Sequence, residues 1–175
     1  DDDQEYSQVS ENIILGNGIK LKHTNYIENN VIIGNGISIR PETARGATIK
    51  RNIVISTLKA PNFYNTNKAT LTLHQLMGLA RPDYNIFYSS EETKGLAYFK
   101  KIKSWGQDKN SVFGKPGFVD AKKGDFRLAP DSLARSLGIE SIDVDRIGLE
   151  HEPTFQRLRK EGFDFLENPL IKKPH

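Results

Sequence analysis

The chain has 175 residues and a formal net charge of +3, with 25 lysines and arginines spread among 22 aspartates and glutamates. This balance excludes the continuous basic stripe with interleaved aromatic residues of a nucleic-acid-binding domain, so no nucleic-acid partner is predicted. No apolar run reaches the length of a membrane span. The absence of cysteine excludes disulfides and thiolate chemistry, and it fits a bacterial periplasmic protein as well as a cytosolic one.

The most regular feature is an asparagine that recurs in four short apolar segments, at Asn12, Asn30, Asn52 and Asn85. Aligning the segments on this residue superimposes their apolar positions in three sets: Val9 with Ile27 and Ile49; Ile13 with Val31, Ile53 and Ile86; Leu15 with Ile33, Ile55 and Tyr88. Apolar residues at period 2 within a repeat of about twenty residues predict a solenoid of β-strand coils. We interpret the asparagines as a structural ladder whose side chains satisfy one another and the backbone at each corner.

A second repeated strand begins at Gly18 and again at Gly36. Its alternation turns the isoleucines and leucines inward and leaves four side chains outward: Lys20, Lys22, Ser38 and Arg40. The predicted organisation is coils over residues 1–90 with an inserted loop at about 58–82. A last coil and cap follow over 91–149, and a helical tail over 150–175. The coils begin without an apparent cap, so we expect the C-terminal part of a longer solenoid, accompanied by upstream coils from the same or a partner chain.

The predicted cap contains two kinds of element. Leu96, Phe99 and Ile102 have helical spacing and predict a short amphipathic helix. Two strand-like pieces that begin at Gly117 and Asp125 flank a Lys-Lys-Gly turn.

The same segment carries a resemblance, in the phrase Lys115-PGFVDAKKGDFRLAPDSLARSLG. This phrase resembles the C-terminal end of bacterial right-handed parallel β-helix enzymes that act on polysaccharides, and the Asn-Asn-Val-Ile and Arg-Asn-Ile-Val corners are similar to that group. It departs in Lys115-Pro-Gly for Asp-Pro-Leu and in Leu133 for proline. The resemblance implies an all-β fold, a right-handed parallel β-helix whose C-terminal cap contains short helices. It also implies a secreted or periplasmic enzyme that hydrolyses glycosidic bonds in an acidic or complex polysaccharide.

The candidate site lies along the outward row beside the second repeated strand. Lys22 and Arg40 are one coil step apart and are expected to stack, with His23 at the following turn. Glu42 and Arg45 come one coil later, and Asp3 lies in the preceding turn. Asp3, His23 and Glu42 are the predicted catalytic residues, and Lys22, Arg40 and Arg45 are predicted to bind substrate.

Hydrolysis of a glycosidic bond needs two carboxyl groups, which Glu42 and either Asp2 or Asp3 would supply. His23 would orient one of these carboxyl groups or bind a sugar hydroxyl. Two coils would separate these acids by about 9–10 Å, at the limit for an inverting enzyme. This interpretation requires no cofactor and no metal.

Two alternatives remain open. A polysaccharide lyase would use Lys22 as the base beside the uronate carboxyl group and Arg40 to support proton donation, an arrangement similar to that of alginate lyases and chondroitinase B. Calcium would then neutralise the carboxylate. The second alternative is a non-catalytic carbohydrate-binding or structural module.

Overall fold

The computed structural model describes residues 6–40, 44–66 and 72–143, and within these ranges the chain forms 14 β-strands and three α-helices. Twelve of the strands form three parallel sheets. The four-stranded sheet contains β1 (Gln8–Ser10), β4 (Tyr26–Glu28), β7 (Thr48–Lys50) and β10 (Pro82–Asp83). The five-stranded sheet contains β2 (Ile13–Leu15), β5 (Val31–Gly34), β8 (Ile53–Ser56), β11 (Ile86–Ser89) and β12 (Val112–Phe113). The three-stranded sheet contains β3 (Ile19–Leu21), β6 (Ile37–Ile39) and β9 (Tyr64–Asn65).

The remaining elements follow or interrupt these sheets. The helices are α1 (Leu73–Ala80), α2 (Glu92–Ser104) and α3 (Leu133–Ser136). The strands β13 (Phe118–Asp120) and β14 (Asp125–Leu128) form an antiparallel hairpin around a short 3-10 turn.

The register predicted from the asparagine repeat is confirmed by the strand pairing. Val9 pairs with Ile27, and Ile27 pairs with Ile49. In the five-stranded sheet the aligned positions follow one another in order: Ile13, Val31, Ile53 and Ile86. Each strand therefore pairs with the corresponding strand of the next repeat, in the register that the asparagine alignment predicts.

The predicted fold class, an all-β right-handed parallel β-helix, is wrong. The described residues form separate parallel sheets together with an antiparallel hairpin and three α-helices, a mixed α/β arrangement in which no closed solenoid is shown. The helices are part of the core, since Met77 of α1 and both Phe99 and Ile102 of α2 are buried in its main cluster. The physical reason is that helices as well as strands bury apolar faces in the core, including α1 in the 58–82 stretch that was predicted to be a loop.

The main core lies between the parallel sheets and the two longer helices. Inward positions of the five-stranded sheet, Ile32, Val54 and Phe87, pack in one cluster with the buried residues of the three-stranded sheet. Aromatic rings fill the end nearest α2, where Phe87 lies 5.0 Å from Phe63 and 5.5 Å from Phe99 between ring centroids. Buried apolar area of this kind is the main stabilising contribution in a domain of this size.

A second core covers the opposite face of the five-stranded sheet. Val31, Ile53 and Ile86 on that face are buried against residues of the hairpin, of α3 and of the segment after α3: Phe126, Leu128, Ala134, Ile139 and Ile142. The backbone N–H of Glu140 also donates to Asn29 Oδ1 at 2.9 Å, which fixes the chain after α3 against the sheet. The five-stranded sheet is therefore covered on both faces.

The start of α1 is fixed by a reciprocal capping arrangement. The Thr72 side chain accepts from the backbone N–H of Gln75, and the Gln75 side chain accepts from the backbone N–H of Thr72. The helix lies in the stretch 58–82 that was predicted to be an inserted loop. Among the described residues, no helix has the length and apolar character needed to cross a membrane.

Candidate functional site

The asparagine ladder runs through the corners of successive strands and is confirmed as structural. The backbone N–H of Asn12 donates to Asn30 Oδ1 at 3.1 Å, that of Asn30 to Asn52 Oδ1 at 3.1 Å, and that of Asn52 to Asn85 Oδ1 at 2.9 Å. The side-chain amides follow the same direction at 3.0–3.1 Å. The last three asparagines are buried, so their hydrogen-bonding capacity is used inside the protein rather than for a ligand.

The residue before each ladder asparagine has a left-handed backbone. Glu11, Asn29, Arg51 and Tyr84 have φ values of 57°, 53°, 54° and 58°. Such a conformation costs roughly 1–2 kcal/mol for a residue with a Cβ. The same turn nevertheless recurs at every corner, because the hydrogen bonds of the asparagine that follows hold the backbone in this conformation.

The ladder ends at a buried carboxyl group. Asp108 Oδ1 accepts from Asn85 Nδ2 at 3.1 Å and from Ser111 Oγ at 2.5 Å. The Ser111 hydroxyl oxygen also accepts the Asn85 backbone N–H at 2.8 Å, so serine occupies the place of the next asparagine. The second carboxyl oxygen of Asp108 meets no donor in hydrogen-bonding geometry among the described residues, although the Tyr64 hydroxyl lies beside the group.

At the Asp108 end of the ladder, burial has the largest effect on the pKa values of the ionisable groups. It raises the pKa of Asp108 from 3.8 to about 6, against the lowering effect of the hydrogen bonds from Ser111, Asn85 and Tyr64. Burial, followed by the charge of Asp108, also raises the pKa of Tyr64 well above 10. Asp108 is fully buried and out of reach of a substrate, so we assign this network to stability.

The predicted substrate-binding residues lie at one end of the three-stranded sheet. Leu21 pairs with Ile39, and the next backbone N–H, that of Arg40, donates to the carbonyl oxygen of Leu21 at 2.9 Å. Lys22 and Arg40 therefore lie next to each other, immediately after the paired strands β3 and β6, and both are half-buried. Adjacent strands lie about 4.8 Å apart, so two cationic side chains leave the sheet side by side.

His23 and Arg45 lie at the turns that follow these strands. His23 has a φ of 55° and begins a tight turn in which Asn25 Nδ2 donates to the Lys22 carbonyl oxygen at 2.6 Å. The Thr24 hydroxyl then donates to the carbonyl oxygen of Arg45 at 3.0 Å, which joins this turn to the next one. We call the surface formed by Lys20, Lys22, His23, Arg40 and Arg45 the basic face.

The outward row of the same sheet adds polar side chains to the basic face. Lys20 pairs with Ser38, and Ser38 pairs with Asn65 on β9. Asn65 was missed because it lies in the stretch that was predicted to be a loop. The sequence signal that could have identified this strand is the apolar pair Phe63-Tyr64, because both residues are buried in the core.

The predicted acids of the site, Asp3 and Glu42, lie outside the described residues. The described ranges hold no group of three or more histidine, cysteine, aspartate or glutamate side chains that would bind a metal ion.

The chain was compared with known proteins at three levels. No family model matches it. No curated protein and no solved structure matches it either. The resemblance in the segment that begins at Lys115 consequently remains an expectation.

Proposed function

We propose that this protein acts on an acidic or complex polysaccharide that lies along the basic face, and that the reaction is hydrolysis of a glycosidic bond. The observation that carries the proposal is that Lys22 and Arg40 lie next to each other after the paired strands β3 and β6. The turn that holds Arg45 adjoins them.

Charge and geometry support an anionic ligand at this place. Like charges on adjacent strands repel, so an anion that contacts both Lys22 and Arg40 lowers the free energy of the pair. The planar guanidinium of arginine also binds a carboxylate or sulfate through two parallel hydrogen bonds. Ser38 and Asn65 along the same sheet provide neutral hydrogen-bonding groups for sugar hydroxyls.

The proposed hydrolysis assigns the remaining roles. Asp3 and Glu42 would be the two carboxyl groups, one as the general acid on the glycosidic oxygen and the other as the base that activates water. His23 would orient one of these carboxyl groups. The basic residues would hold the acidic substituents of the polymer on either side of the bond that is cut.

Elimination is the second candidate, and the pairing that brings Lys22 next to Arg40 supports it because this reaction assigns its two protein roles to these residues. Lys22 would remove the proton beside the uronate carboxyl group, the bond to the leaving glycosidic oxygen would break, and a carbon–carbon double bond would form. Arg40 would support protonation of the leaving oxygen, and calcium would neutralise the carboxylate.

Two further parts of the proposal concern partners and location. Within the described residues, β1, β2 and β3 each pair on one side only, so strands from the same or a partner chain would complete these edges.

An acidic or complex polysaccharide as substrate would mean that the protein works in the periplasm or outside the cell. A non-catalytic carbohydrate-binding module would use the same basic face without either reaction.

Product analysis of a uronate polymer separates these functions. Hydrolysis yields reducing ends without near-ultraviolet absorbance, whereas elimination yields an unsaturated uronate that absorbs. Under hydrolysis, Glu42→Gln and Asp3→Asn abolish turnover, and Lys22→Ala or Arg40→Ala lowers kcat/KM by roughly 10- to 100-fold, the value of one hydrogen bond to a charged group. The single variant Lys100→Ala is the charge-matched control at an exposed position elsewhere. Full activity of both carboxyl variants would exclude the proposed hydrolysis.

A further inference from the structure

An open cleft lies where the end of β11 meets the first turns of α2 and the segment after β12. Its volume is about 610 Å³, within the range of small-molecule sites. The side chains that line it include Tyr88, Glu92, Thr93, Leu96, Phe113 and Lys115. We propose that this cleft binds a neutral sugar ring of a glycan, as a site separate from the basic face.

Two aromatic rings provide the apolar surface. The centroids of Tyr88 and Phe113 lie 6.4 Å apart with an angle of 39° between the ring planes. The Phe113 ring also lies 6.1 Å from that of Phe99 and 6.3 Å from that of Phe63, so the core holds it in position. Leu96 on α2 is 38% exposed and extends this surface. A sugar ring has an apolar C–H face that complements such a surface.

Polar groups are fixed beside the rings. The Tyr88 hydroxyl donates to Glu92 Oε1 at 3.1 Å, which holds the carboxylate at the edge of the aromatic surface. Partial burial and this hydrogen bond raise the pKa of Tyr88, so its hydroxyl stays protonated as a donor. The second oxygen of Glu92 bonds to no described residue, so it is available to accept from a sugar hydroxyl, which is a good donor to a carboxylate.

The charge of the cleft favours a neutral ligand. Glu92 and Lys115 contribute one negative and one positive charge to the lining. The nearby Lys94 is engaged elsewhere, because its Nζ donates to Glu91 Oε2 at 3.0 Å and to the Lys59 carbonyl oxygen at 3.2 Å. The charges of Glu92 and Lys115 cancel, so the lining gives an acidic sugar no net attraction, in contrast to the basic face.

Binding of neutral tetrasaccharides to the full chain tests the proposal. The probes are glucose, mannose, xylose and galactose tetramers, and the measurement is the shift of the amide resonances of residues 88, 92–96 and 113–115 in the 15N-labelled protein. At least one probe is expected to shift these resonances in a saturable manner. Glu92→Gln and Leu96→Ala are each expected to weaken that binding by roughly fivefold or more, and Tyr88→Phe by roughly 2- to 10-fold.

The matched control is Tyr26→Phe, which removes a hydroxyl from a tyrosine of similar type, 39% exposed on the four-stranded sheet, and is expected to leave the affinity unchanged. The proposal is overturned if no tetramer shifts the cleft resonances, or if Glu92→Gln and Leu96→Ala bind like the unsubstituted chain. It is also overturned if only a polyuronate oligomer or an extended peptide shifts them. These outcomes are independent of the hydrolysis proposal, because the tested residues lie outside the basic face.

Discussion

The buried carboxyl group of Asp108 gives the protein a stability that depends on pH. Folding raises the pKa of this group from 3.8 to about 6, so the folded protein holds the proton more tightly than the unfolded chain does. The resulting stabilisation is complete below pH 4 and is lost as the pH rises through about 6. The difference corresponds to about 3 kcal/mol of unfolding free energy, at 1.36 kcal/mol for each pH unit.

Asp108→Asn removes this titration while keeping the shape of the group. The asparagine carbonyl oxygen replaces Oδ1 as acceptor for Ser111 and Asn85, and its amide nitrogen replaces the oxygen that meets no donor. Asparagine also tolerates the φ of 50° at this position. We expect the variant to match the unsubstituted chain near pH 4 and to be more stable by about 3 kcal/mol above pH 7.

Urea unfolding at intervals from pH 4 to 8, followed by Trp105 fluorescence, measures the difference. Asp125→Asn is an informative control, because the hydrogen bond from Arg127 lowers the pKa of Asp125. That group adds stability that is present above its unfolded pKa of 3.8 and is lost only at lower pH, so the difference caused by Asp125→Asn is expected to stay nearly constant from pH 4 to 8. A constant difference between Asp108→Asn and the unsubstituted chain across the whole range would refute the reasoning.

Three further predictions concern the ladder and the turns, each measured as a change in unfolding free energy by urea titration. Asn52→Ala removes five side-chain hydrogen bonds, four of them buried, and is expected to cost about 3 kcal/mol or more, whereas Asn12→Ala at the exposed end costs less than about 1 kcal/mol; equal costs would contradict a cumulative ladder. Gly36→Ala is expected to prevent normal folding, because a Cβ there would lie 2.4 Å from the Phe63 carbonyl oxygen at a φ of 71°; near-normal stability would contradict the close approach. Arg51→Ala removes a salt bridge whose side chains are 44% and 36% exposed, so the expected loss is below about 1 kcal/mol, and a larger loss would show that the pair is more than a surface contact.

The strand register could be predicted from the sequence because two independent signals agreed. The apolar alternation sets which residues face inward, and the asparagine sets the corner, so Val9, Ile27 and Ile49 could be aligned without ambiguity. A slip of one residue would have exposed each apolar set.

The fold class was wrong because these strands account for only part of the core. The capping pair at Thr72 and Gln75 signalled α1, but Thr70 to Leu79 fits both a strand and a helix by composition.

The site was predictable only where the repeat is strict. The adjacency of Lys22 and Arg40 follows directly from the register. Asp108 was missed because serine replaces asparagine at residue 111, which hides the last rung of the ladder. The cleft beside Tyr88 depends on how closely α2 approaches β11. A Cβ on Gly95 would lie 2.7 Å from the Ser89 Cβ, and that approach is a tertiary contact without a local sequence pattern.

The most direct test of the proposed function is calorimetric binding of a uronate hexasaccharide at low and high salt. We predict saturable binding that weakens with added salt, because Lys22 and Arg40 are only half-buried and salt screens their charges. Lys22→Ala/Arg40→Ala is predicted to abolish that binding, while Lys100→Ala/Lys122→Ala retains it. Equal affinity of both double variants would contradict the assignment of the basic face to an acidic polysaccharide.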